Sequence, residues 1–189
     1  MRIAFVMLAV MWATTTPAAG LACRFEFTVT ITQGAGPFRP GDRLAGHARF
    51  QTSGQSFPGE AGARVHMATG QMQLGDAITA PIWAVIATAQ NPVADQLSLQ
   101  ARDARGLSVA GIDYRGPMTL SLYARPGTLG DATIPADPGL WVAMDLRRSF
   151  ALHAYGYDRL AGDVTELTVA CGPPEMIDSG DETTYPAPQ

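Results

Sequence analysis

Phe25, Phe27, Val29 and Ile31 alternate with Arg24, Glu26, Thr28, Thr30 and Thr32. A period of two puts the four apolar side chains on one face of an extended chain. Phe, Val, Ile and Thr suit a pleated, half-buried surface, so the segment is predicted to be a strand. Turn residues follow, Gln33-Gly34-Ala35-Gly36-Pro37 and then Pro40-Gly41-Asp42. Leu44, Gly46, Ala48 and Phe50 alternate in a second strand. The same patterns predict strands over residues 63–74, 78–88, 96–101, 118–123, 140–145, 149–157 and 164–170, with Gly, Pro, Asp and Asn between them. Residues 78–89 are apolar on both faces, which suits a central buried strand better than a short helix. No window keeps a helical period with caps. Short strands separated by turn signals predict an all-β fold, an antiparallel, jelly-roll-like β-sandwich of about 8–10 strands.

Register adds a candidate site. Leu140, Val142 and Met144 alternate with Trp141, Ala143 and Asp145, while Phe150, Leu152 and Ala154 alternate with Ala151, His153 and Tyr155. Side chains directly opposite in a hairpin share a face. A loop at Leu146-Arg147-Arg148 pairs Asp145 with Ser149, and so sets Met144 against Phe150 and Val142 against Leu152. The other face then carries Trp141 opposite His153, with Tyr155 beside them. Such a group has the chemistry to stack on a sugar ring or clamp a peptide. The competing reading is packing over a core edge, favoured by the flanking Ala143 and Ala151.

The first residues break the alternation. Arg2 precedes an apolar run from Ile3 to Trp12, and small residues follow to Ala18-Ala19-Gly20-Leu21-Ala22. This is the layout of a secretory signal peptide over residues 1–22, and the run is too short to span a bilayer. Cleavage after Ala22 leaves Cys23 first in the mature chain, and cleavage after Gly20 also fits. The expected location is periplasmic or extracellular. The chain has two cysteines, Cys23 and Cys171, and an oxidising compartment favours a disulfide between them. Closing so long a loop is worth roughly 5 kcal/mol in the chain-entropy model. The alternative is a lipid on Cys23, since Leu21-Ala22-Cys23 passes a permissive lipobox. Gly20 then stands where Leu is preferred, and Cys171 is left alone. Residues 23–171 form the expected domain. Residues 172–189, with Glu175, Asp178, Asp181, Glu182, Pro186 and Pro188, read as a disordered acidic tail.

Composition narrows the chemistry. Charged residues are 16% and the net charge is -4. Every basic residue is arginine, which excludes Schiff-base and lysine-nucleophile catalysis. No basic run points to nucleic acid, and no later apolar run approaches a membrane span. His47, His66 and His153 lie in no metal-ligand spacing, and no metal or cofactor is expected. Residues 178–182 lack the spacing of a calcium loop. There is no G-x-S-x-G elbow and no catalytic residue stands out. Asp158, Asp163 and Glu166 read as a polar turn, the alternative being a carboxylate pair for glycoside hydrolysis.

Phe27 to Thr32, Gly36-Pro37-Phe38, Gly41-Asp42-Arg43-Leu44-Ala45-Gly46-His47-Ala48-Arg49-Phe50 and Thr52 together resemble the start of a bacterial exported domain. That domain accompanies PEP-CTERM sorting tails. The likeness covers about 30 residues of β-hairpin pattern. Gln51 stands where the pattern has Asp, and the anchor helix and basic end of those tails are missing from the sequence. The resemblance implies a secreted β-sandwich and no catalytic residues. The expected function is non-catalytic, a binding or structural accessory outside the cytoplasm. The alternatives are a carbohydrate-binding or carbohydrate-active module, and a subunit of an envelope assembly. The corresponding partners are a glycan or an envelope protein.

Overall fold

The computed structural model describes residues 20–154 and 158–174. The predicted signal through residue 19, Tyr155, and the tail from residue 175 lie outside the described residues. The strands are β1 (Ala22–Gln33), β2 (Arg43–Pro58), β3 (Ala63–Leu74), β4 (Ile78–Thr88), β5 (Asp95–Ala101), the short β6 (Ser108–Val109) and β7 (Ile112–Asp113), β8 (Met118–Ala124), β9 (Arg147–His153) and β10 (Arg159–Gly172). One helix, α1 (Pro138–Val142), lies between β8 and β9.

The fold is a closed barrel and not the expected sandwich. The sheet runs β1-β10-β9-β8-β5-β4-β3-β2 and closes as a barrel, because β1 pairs antiparallel with both β10 and β2. Consecutive long strands are neighbours all the way round, the meander of an up-and-down barrel. Alternation along a strand is the same whether the apolar face meets a second sheet or a barrel axis. Only the pairing of the first strand with the last distinguishes the two.

Closure brings Cys23 directly opposite Cys171, and the two are joined by a disulfide with their Cα atoms 4.2 Å apart. The bond uses the sulfur that a lipid thioether would need, so Cys23 is a staple and not an anchor point.

A barrel of this strand number has an interior just wide enough for side chains. Phe25, Val29 and Ile31 of β1, Met72 and Leu74 of β3, Leu97 and Leu99 of β5, Leu120 and Leu122 of β8 and Phe150 and Leu152 of β9 are all buried. Glycine makes room for Phe27, also buried, and for Val29. A Cβ on Gly46 would lie 2.3 Å from the Phe27 ring, and one on Gly162 would lie 2.6 Å from Val29 Cγ1.

Both ends are plugged. Beside the disulfide, the connection from β8 to β9 folds over the mouth. The expected strand over 140–145 is not there: Asp137 accepts a hydrogen bond from Gly139 N at 2.8 Å, Pro138 occupies the first turn, and α1 follows. Trp141 is 0% exposed, lies edge-on to Phe25 with ring centroids 5.0 Å apart, and donates from Nε1 to the Pro135 carbonyl at 2.9 Å. Three side chains tie this strap down. Asp95 accepts from Leu129 N, Gln90 donates to the Gly130 carbonyl, and His66 donates to the Ala132 carbonyl. At the opposite end, residues 102–117 bury Ala104, Leu107 and Tyr114. The β6–β7 hairpin within them turns on Ala110 and Gly111, whose φ angles of 49° and 81° suit a tight two-residue turn.

Candidate functional site

The expected trio of Trp141, His153 and Tyr155 is not brought together on one face. Trp141 is inside the barrel mouth beside Phe25 and Phe50. His153 pairs with Arg159 at the start of β10, which is the other end of the barrel. Tyr155 is outside the described residues. The predicted core face of β9 does hold, since Phe150 and Leu152 point inward, but their partners are Leu120 and Met118 of β8. His153 is half-buried, and burial followed by the nearby Arg159 charge pushes its pKa down.

The other sequence candidates are also dispersed. His47 is exposed on β2, while His66 is committed to the strap. Glu166 sits on the outer wall of β10, where it accepts from Thr28 Oγ1 and Arg43 Nη2, both at 2.7 Å. The Thr28 hydroxyl, then Arg43, hold its carboxyl below the usual range. That makes it a poor proton donor. Asp163 lies within β10 opposite Thr30, not in the expected turn. Among the described residues no group of three or more His, Cys, Asp or Glu is placed to hold a metal ion.

A different feature stands out on the side wall. An open groove of about 730 Å³ is lined by Arg49, Arg105 and Arg115, with Asp103, Gln71, Thr79 and Pro81 between them. Arg49 stands on β2 opposite Gln71 of β3, and Gln71 is opposite Pro81 of β4. The strands approach closely there, because a Cβ on Gly70 would lie 2.0 Å from the Arg49 carbonyl oxygen. The other two arginines come from residues 102–117. Arg105 exchanges backbone hydrogen bonds with Thr79 at 2.9 and 3.1 Å, and the Arg115 carbonyl accepts from Ala104 N at 2.9 Å. Gly106 permits the crossing, since a Cβ there would lie 1.9 Å from the Ala77 carbonyl oxygen.

The groove is positively charged. Arg49, Arg105 and Arg115 make no ion pair or side-chain hydrogen bond among the described residues. Asp103 is the one acid in the lining, and Arg102 lies 3.9 Å from its carboxylate. Beside Pro81, the guanidinium of Arg102 lies over the ring of Trp83 at 5.7 Å. Planar guanidinium forks match carboxylate and phosphate oxygens in pairs. Gln71 and Thr79 add neutral donors and acceptors.

This site is not legible in the sequence, because its arginines are far apart along the chain and in no motif. Compared with protein-family models, with curated proteins and with solved structures, the chain matches none.

Proposed function

We propose that the protein is an exported, non-catalytic binding barrel whose side groove takes an acidic glycan. The observation that carries this reading is the set of three arginines around one groove that have no partner among the described residues. The barrel interior offers no comparable space, because its axis is filled by side chains and both mouths are plugged. Carboxylates of sugar acids suit the guanidinium forks. The Gln71 amide and Thr79 hydroxyl suit sugar hydroxyls, and Pro81 offers an apolar step for a ring face. Export is supported by the apolar leader, by the disulfide and by the likeness of the first hairpin to exported bacterial domains.

Titration calorimetry with a polyuronate and with a neutral polysaccharide of similar length tests it. Binding is expected for the polyuronate only, weakening at least tenfold in an Arg105→Ala, Arg115→Ala double variant and falling with added salt. Equal binding of both polymers, or binding that ignores the double variant, refutes the site.

A second reading, a subunit of an envelope assembly, is favoured by one observation. Of the large apolar side chains exposed among the described residues, Phe57, Val93, Val142 and Leu146 all lie at the disulfide end, and only Ile112 lies at the other. Co-purification from envelope extract tests it, with a Val142→Ser, Leu146→Ser variant as control. Elution of the wild-type protein alone counts against it.

A further inference from the structure

Given the exported protein proposed above, we infer that the leader is removed between Gly20 and Leu21, so that the mature chain begins Leu21-Ala22-Cys23. Two cuts satisfy the small-residue rule for positions -3 and -1. Ala18 and Gly20 serve a cut after residue 20, and Gly20 and Ala22 serve a cut after residue 22. A cut after Ala19 would put Pro17 at the -3 position.

The folded barrel separates these two products. Leu21, the residue before β1, is already hydrogen-bonded to β2. Its N–H donates to Thr52 Oγ1 at 3.0 Å, and its carbonyl accepts from Thr52 N at 2.9 Å. Leu21 also packs against the core. Ala22 is buried, and it pairs with Gln51 on one side and Gly172 on the other. A cut after Ala22 discards all of these contacts.

That cut also moves the α-ammonium onto Cys23, inside the ladder between Phe50 and Cys171. A cut after Gly20 places the ammonium on half-exposed Leu21, where the Thr52 hydroxyl is already in position to accept from it. The peptidase acts on the extended chain, so the fold does not direct the cut. The fold shows which residues the mature protein uses.

The test is to express the full chain with its own leader in a Gram-negative host and sequence the N-terminus of the product from the periplasm. Leu-Ala-Cys is expected. A product starting at Cys23 overturns the inference and leaves the export reading intact. A full-length chain retained in the cytoplasm overturns both. A paired measurement adds a physical check. Two chains are released from a cleavable fusion, one starting at Leu21 and the other at Cys23. The shorter is expected to melt several degrees lower, with the disulfide of both chains kept oxidised. Identical melting would show that residues 21 and 22 contribute nothing to the barrel, and would remove the ground for the assignment.

Discussion

Trp141→Ala removes the plug from the barrel mouth, and its cost can be worked from the geometry. The side chain is 0% exposed, so its whole apolar surface counts. An aromatic residue buries roughly 200 Å², which at about 25 cal/mol/Å² gives about 5 kcal/mol. That is the upper end of the about 3–5 kcal/mol seen for large-to-small core changes. The Pro135 carbonyl, buried and bonded to Trp141 Nε1 at 2.9 Å, loses its partner at a further cost of about 1 kcal/mol. A total of about 4–6 kcal/mol is a large share of the stability of a domain this size. Trp141→Phe keeps a ring against Phe25 and gives up the hydrogen bond and part of the area, for about 1–3 kcal/mol. The assay is equilibrium urea denaturation followed by far-ultraviolet circular dichroism. Free indole is a further control, because an empty apolar mouth between Phe25 and Phe50 should accept it. At 100 times its Kd it would restore about 2.7 kcal/mol to the alanine variant. A loss below about 1 kcal/mol for Trp141→Ala, with no effect of indole, would show that Trp141 does not plug the barrel.

Gly46→Ala is expected to lose about 1–3 kcal/mol by forcing a Cβ to within 2.3 Å of the Phe27 ring, and a Phe27→Leu background should relieve most of it in a double-mutant cycle. Cys23→Ser with Cys171→Ser opens a covalent loop of sequence separation 148, for a loss of up to about 5 kcal/mol, read as a lower urea midpoint with little change in groove affinity. His153 gives a pH dependence. Its folded pKa is lowered, so the unfolded chain takes up the proton first as pH falls. The stability it contributes is present above its ordinary pKa of about 6.5 and is lost as pH falls through the lowered folded value. His153→Gln should therefore flatten part of the drop in Tm between about pH 7 and pH 5, and an unchanged slope would show that His153 is not its source.

The local pattern carried much of the fold. Residues 63–74 and 78–88 are strands with the bounds that alternation and flanking turn residues indicate, and Phe25, Phe27, Val29 and Ile31 point inward together. Closure was not legible in alternation, which has the same period in a barrel and a sandwich. The cysteines bring the first and last strands together, but a bond between facing sheets of a sandwich would satisfy them equally, so only the pairing of β1 with β10 shows closure. Helix α1 was hidden by a short apolar–polar alternation over 140–145. The stronger signal was Asp137-Pro138, a capping residue followed by a proline suited to a first helical turn. Reading 140–145 as a strand also produced the expected pairing of Trp141 with His153, so one wrong element displaced the whole candidate site. The groove was out of reach for another reason. Arg49, Arg105 and Arg115 meet only through the bridge between Thr79 and Arg105 and the close approach at Gly70, both of them tertiary events.

The staple at Cys23 and Cys171 also sets how the molecule responds to force. A pull on the two chain ends enters and leaves the fold at positions whose Cα atoms are 4.2 Å apart and covalently joined. The tension passes through the sulfur bridge, and the hydrogen-bonded ladder between β1 and β10 carries almost none of it. While oxidised, the barrel behaves under tension as a short rigid link that gains no length. Once reduced, the same pull unzips the barrel along the seam where it closed.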